Sequence, residues 1–216
     1  MKIKWLGHAS FLITPKSGHK ILTDPYKSGS YGGAVRYKKI HEHADIVLIS
    51  HDHEDHNDVS SLPGDPVVLK GAGDNEAKGF KFKGVATYHD ECRGRERGDN
   101  TIFLFEADGL TVCHLGDLGH TLSEEEIADI GKVDILFVPV GGLYTIDAEQ
   151  ATTVVKALQP KLVIPMHYKT EKLGFDIDGV EKFLEGKEGV KRQGSPEMEF
   201  AHLEDESQIV VLDHAM

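Results

Sequence analysis

Cysteine is scarce in this chain, with two in 216 residues, Cys92 and Cys113. Two thiols make no disulfide framework, so the fold must rest on its apolar core, and a cytoplasmic setting is the simpler expectation. Positive charge is also short: 24 Lys and Arg stand against 36 Asp and Glu, for a formal net charge of −12. That balance argues against long nucleic acid and anionic membrane as partners. No apolar run approaches the roughly 18 residues that suggest a membrane span. The opening MKIKWLGHASFLI is interrupted by His8 and lacks a signal-peptide cleavage pattern.

What is present is an ordinary globular composition, 39% hydrophobic and 28% charged, which gives no reason to expect disorder. The length suits one domain over residues 1–216, and no linker or composition break divides it. Short apolar runs recur at 3–13, 20–25, 45–50, 66–69, 101–105, 110–116, 134–140, 161–167 and 208–213. Several are continuous enough in aliphatic residues for strands buried on both faces. Ser123 with Glu126, and Asp147 with Gln150, carry the spacing of a capping box and predict two helices, while 177–184 is a shorter third. Alternating strands and helices predict an α/β fold. The Gly-, Tyr- and Lys-rich stretch 26–43 reads as a long loop, a common place for function.

Directly after the strand-like DIVLIS comes His51-Asp52-His53-Glu54-Asp55-His56. Four candidate ligands, His51, His53, Asp55 and His56, leave one strand end together. Imidazole and carboxylate suit zinc, manganese or iron, whereas calcium would call for oxygen ligands. One segment cannot complete a metal site, and further ligands should lie at other strand ends. His89 follows FKGVATY, Asp117 follows LTVCHLG, and His167 follows KLVIP. Together these supply donors for two ions.

The segments HDHEDH, HLGDLG and PMHY resemble those of the metallo-β-lactamase superfamily, and GHASFLI, LTDPY, ATYHD and VPVGGLYTIDAEQA resemble its branch of small intracellular hydrolases. The likeness spans roughly residues 1–170. It implies a four-layer αβ/βα sandwich, two mixed sheets face to face with helices outside. It also implies a first metal site at His51, His53 and His89, a second at Asp55, His56 and His167, and Asp117 as a bridging carboxylate. His8 resembles a position that orients the site, and Asp24 is either a second such residue or a turn residue. Leu118 stands where threonine is common, and His53 where redox di-iron relatives carry glutamate.

The implied activity is hydrolysis by a metal-bridging hydroxide, with Asp55, Asp117 and His8 as the side chains nearest the chemistry. The substrate would be a small molecule with an acyl bond (lactone, ester or amide) or a phosphodiester. A nuclease or nucleotide phosphodiesterase, and a non-catalytic metal scaffold, are the alternatives. Two divalent ions are expected, Zn2+ first and Mn2+ or Fe as the others. Arg93, Arg95 and Arg97 alternate just past His89; at least one of them, Arg93 or Arg97 first, is expected to hold an anionic part of the substrate, the alternative being surface pairing with Asp90, Glu91, Glu96 or Asp99. His114 and His120 flank Asp117 without a clear role. His19, His41, His43, His202 and His214 read as surface residues. No segment marks an oligomer interface, although a homodimer is the commonest arrangement for such chains.

Overall fold

A computed structural model describes residues 1–216. The apolar runs become strands of two mixed sheets. The six-stranded sheet has the spatial order β13 (Glu197–Glu199), β1 (Lys2–Gly7), β2 (Ser10–Thr14), β3 (Ile21–Thr23), β4 (Ile46–Ile49) and β5 (Val67–Lys70). The eight-stranded sheet begins with β12 (Val190–Arg192), β14 (Gln208–Val211), β11 (Leu162–Met166) and β10 (Ile135–Pro139). It continues with β9 (Leu110–His114), β8 (Asp99–Ala107), β7 (Phe80–Tyr88) and β6 (Gly73–Ala77). The inner faces of the two sheets meet, as the 4.3 Å ring separation of Phe11 on β2 and Phe137 on β10 shows. Trp5, Phe11, Phe103 and Phe137 are buried in that shared core.

Helices cover the outside: α2 (Glu124–Ile130), α3 (Ala148–Leu158) and α4 (Val180–Leu184), after a single irregular turn α1 (Ser30–Gly33). Both capping boxes form as expected, Ser123 with Glu126 and Asp147 with Gln150. Helix α3 turns Ala151, Val154 and Leu158 inward at helical spacing. This is the α/β fold with two mixed sheets and helices outside that the resemblance implies. No helix is long and apolar enough to cross a membrane.

Three local differences from the sequence reading stand out. The run 3–13 is two antiparallel strands that turn at His8 and Ala9, with a register shift between Trp5 and Gly7. Gly7 has φ 126°, and a Cβ there would lie 2.7 Å from the Tyr37 ring, so only glycine lets the 26–43 segment press against this turn. That segment is irregular, as expected, yet Tyr26, Val35, Tyr37 and Ile40 anchor it in a second, smaller core. The expected helix 177–184 begins only at Val180.

Candidate metal centre

Strands β9, β10 and β11 run parallel, and β7 runs with them because it is antiparallel to β8, itself antiparallel to β9. The ends of β7, β9 and β11 therefore deliver His89, Asp117 and His167 to one edge. Strand β4 of the other sheet delivers residues 51–56 to the same edge. Glycine permits the crowding: a Cβ at Gly119 would collide with the backbone of His89 and Asp90.

All seven expected ligands converge. One group comprises His51, His53 and His89, and another comprises Asp55, His56 and His167 together with His8. Asp117 lies between them. Its Oδ2 is 3.1 Å from His167 Nε2, 3.2 Å from His56 Nε2 and 3.3 Å from His89 Nε2. It is also 3.9 Å from His51 Nε2. Donors bound tetrahedrally at about 2.0–2.1 Å from one zinc ion lie roughly 3.3 Å apart, so one oxygen here has the spacing of a ligand shared by two ions.

The surrounding hydrogen bonds orient these side chains. Buried Asp24 accepts from Ser50 N at 2.8 Å and Ser50 Oγ at 2.7 Å. It also pairs with His114 Nε2 at 2.8 Å and His56 Nδ1 at 3.1 Å. A proton on His56 Nδ1 leaves Nε2 free to act as ligand, the usual role of a carboxylate behind a metal-binding histidine. Ser50 Oγ lies 2.9 Å from His51 Nδ1, extending the network to the first group. Asp24 is thus the centre of a buried hydrogen-bond network, and His114 is buried and pairs with it. Asn100 accepts the Asp117 N–H at 2.9 Å and donates to Thr87 Oγ1 and Leu115 O.

His8 Nε2 lies 3.1 Å from Asp55 Oδ2, and its ring centroid is 4.1 Å from that of His167. Burial and then His167 push the His8 pKa down to about 4, against the opposing pull of Asp55. A neutral ring donating through Nε2 leaves Nδ1 bare, and that atom has no partner. Three of these residues occupy left-handed backbone, His8 at φ 54°, Asp24 at 38° and His167 at 49°. Such strain in non-glycine residues clusters at functional sites.

Burial alone would raise the carboxylate pKa values, but neighbouring imidazoles overcome it and hold Asp24, Asp55 and Asp117 ionised. His56, facing three carboxylates, is raised well above its usual value despite burial. Burial pushes His51 and His53 down. The donor set fits divalent ions: His56 Nε2 and Asp117 Oδ1 are buried without hydrogen-bond partners, an expensive arrangement for protein alone. The two closely spaced clusters are consistent with a dinuclear metal site.

The profile of the beta-lactamase superfamily domain matches residues 2–167. The chain belongs to that superfamily. A UPF0173 metal-dependent hydrolase of Thermoplasma acidophilum is 31% identical over 193 residues, covering 79% of this chain and 84% of the relative. One from Carboxydothermus hydrogenoformans is 32% identical over 196 residues, covering 79% and 85%. A crystal structure from Thermotoga maritima, of a candidate Zn-dependent hydrolase of the metallo-beta-lactamase superfamily, superposes with TM-score 0.82 at 37% identity, covering 98% and 97% of the two chains.

In this superfamily member a cavity of about 260 Å³ opens over the metal centre. His53, Asp55, His89, Asp117 and His167 form its floor, and Tyr31, Glu96, Arg97, Tyr144 and Phe175 form its mouth. Arg97 therefore faces the cleft. Arg93 does not: it lies on the far side of the loop beside Tyr88 and Glu126. Exposed Arg95 donates Nε–H to Cys92 O at 3.0 Å. The loop curls around buried Asp90, which accepts the N–H groups of Cys92, Gly94, Glu96 and Arg97, so alternation along the sequence does not put the arginines on one side. His120 accepts from Tyr88 N outside the cleft. His214 is half-buried against Tyr37 and paired with Glu171, not a bare surface residue.

Sequence reasoning missed Tyr31, Tyr144, Phe175 and Asn100. Their only signal is position, since the three aromatic residues lie in loops that follow or precede the ligand segments.

Proposed function

We propose that the protein is a dinuclear metal-dependent hydrolase of small organic substrates. The position of Asp117 Oδ2 carries this reading, within 3.1–3.3 Å of imidazoles from both ligand groups. His51, His53 and His89 would hold one ion, Asp55, His56 and His167 the other, and Asp117 both. Two such ions supply a hydroxide at neutral pH and polarise the electrophile's oxygen. Five imidazoles and two carboxylates favour zinc, with manganese or iron using the same donor types. The zinc named for the Thermotoga relative supports the first.

His8 donates to Asp55 Oδ2 and so fixes which carboxylate oxygen faces the cleft. Asp55, ionised and at the cavity floor, is positioned to take the proton released as the intermediate collapses. Asp24 and Ser50 hold His56 and His51 in their ligating tautomers. Arg97, the one Lys or Arg lining the cavity, would bind an anionic group of the substrate. A volume of about 260 Å³ lies just below the usual range for ligand pockets and favours a small molecule over a polymer. The free thiols Cys92 and Cys113 suit a cytoplasmic enzyme.

A panel of lactones, aryl esters and bis-p-nitrophenyl phosphate, run with and without chelator, tests this function and separates acyl from phosphoryl preference. Turnover that chelation removes and added zinc restores is expected. Full metal loading with no turnover across the panel would favour a metal-binding scaffold instead.

A further inference from the structure

The cavity mouth pairs aromatic rings with a cation, and this pairing goes beyond hydrolysis as such. Phe175 meets Tyr31 at a centroid distance of 5.5 Å and Tyr144 at 5.7 Å, both edge to face. The Arg97 guanidinium carbon lies 5.9 Å from the Tyr144 ring centroid, within cation–π range. The rings come from three separate loops: the segment after β3, the one after β10 and the one after β11. Tyr31 is 47% exposed and Tyr144 37%, so neither is there to fill the core.

The loops are held in place before any ligand arrives. Arg36 N donates to Lys172 O at 2.8 Å and Gly174 N to Ala34 O at 2.7 Å, which ties the Tyr31 loop to the Phe175 loop. Asp178 N donates to Gly141 O at 2.8 Å, which joins the Phe175 loop to that of Tyr144. Tyr31 at φ 53° and Leu143 at 61° keep left-handed backbone at the two tyrosine-bearing turns. Exposed rings on a preformed, strained frame cost hydration that a ligand can recover.

The geometry points to a subsite for a flat, unsaturated body carrying a carboxylate, with the rings flanking the body and Arg97 binding the acid group. This rests on the hydrolase reading only for where the scissile bond lies. Charge complementarity favours the acid: Arg97 is the single Lys or Arg at the cavity of a chain with net charge −12. Its present partner is a single 3.5 Å contact from Nη1 to Glu96 Oε2, on a mostly exposed carboxylate. Most of the guanidinium donors thus remain available.

Calorimetric titration of the zinc-loaded protein with phenylacetate, acetate, cyclohexylacetate and benzyl alcohol tests the subsite without relying on turnover. Phenylacetate is expected to bind at least about tenfold more tightly than acetate or benzyl alcohol, since it engages both the rings and the guanidinium. Cyclohexylacetate should fall roughly threefold or more below phenylacetate. Arg97→Ala should bring phenylacetate down about tenfold and leave benzyl alcohol unchanged. Tyr144→Leu and Phe175→Leu should each cost roughly three- to tenfold for phenylacetate and spare acetate. Arg93→Ala should change nothing, and Glu96→Gln should strengthen phenylacetate binding.

Equal affinities for phenylacetate, cyclohexylacetate and acetate would overturn the subsite, as would phenylacetate binding indifferent to Arg97→Ala. Elemental analysis of the same samples separates the two proposals. A loaded protein with no ring preference loses the subsite and keeps the metal centre. A protein that takes up no metal loses the hydrolase reading, and its phenylacetate preference still reports on the mouth.

Discussion

Asp24 Oδ2 and His56 Nδ1 meet at 3.1 Å in the floor of the metal centre, and the same oxygen is 2.8 Å from His114 Nε2 and 2.7 Å from Ser50 Oγ. One carboxylate oxygen thus orients a ligand of the second group directly and, through Ser50, His51 of the first. Asp24→Asn keeps the shape but removes the charge and places an amide donor among donors. Metal affinity measured by chelator competition should fall about 10–100-fold. Wild-type affinity in a folded Asp24→Asn protein would show that the contact is only structural.

His8→Phe keeps an aromatic ring beside His167 and removes the hydrogen bond to Asp55. Asp55 then loses the donor that fixes its orientation, while the contacts of His51 with Ser50 and His53 are untouched. Zinc titration should show the weaker of two binding steps falling by about tenfold or more, with the other little altered. The single tryptophan, Trp5, donates Nε1–H to His8 O at 3.0 Å, so its fluorescence provides a local readout. Equal weakening of both steps would contradict this division of labour.

These two contacts also show what the sequence makes legible. The ligands themselves were readable because metal chemistry restricts residue type and strand ends restrict place. Asp24 was ambiguous because its three partners come from residues 50, 56 and 114, brought together only by sheet pairing. Strands β6, β12 and β13 escaped notice because they bury few side chains: β6 reads GDNEA and buries only Ala77. Pairing, not hydrophobic pattern, defines such edges. The choice between Arg93 and Arg97 was not legible for a related reason: the loop is not a strand, Arg93 sits in left-handed backbone at φ 60°, and only Arg97 lines the cavity.

Acid should destabilise the metal-free protein. The His8 pKa falls from 6.5 to about 4 on folding, chiefly through burial, and His51 and His53 are lowered for the same first reason. A histidine with a depressed folded pKa binds its proton more readily when unfolded, so it takes stability away as pH falls from 6.5 toward 4. His56 acts oppositely: its raised pKa contributes stability at low pH that is lost as pH rises through the folded value. With three lowered against one raised, the Tm of chelated protein should drop across that window. A flat or rising Tm would give His56 the larger share.

Asp90 holds the loop that presents Arg97. Burial alone would raise its pKa, but the N–H groups of Arg97, Glu96, Cys92 and Gly94 bring it to about 2. Asp90→Ala should speed amide hydrogen exchange at those four positions. It should also lose part of the preference for anionic over neutral ligands while metal content stays unchanged. Unchanged exchange at 92–97 would mean that the loop is held by other contacts.

Metal stoichiometry tests the dinuclear centre most directly. Protein dialysed against excess zinc and then freed of unbound ion should carry about two equivalents per chain by elemental analysis. Asp117→Asn should retain less than one tightly held equivalent, because Oδ2 is the oxygen shared by both groups. A folded wild-type chain that takes up no transition metal at micromolar concentration, or an Asp117→Asn variant that keeps both equivalents with undiminished affinity, would contradict the account.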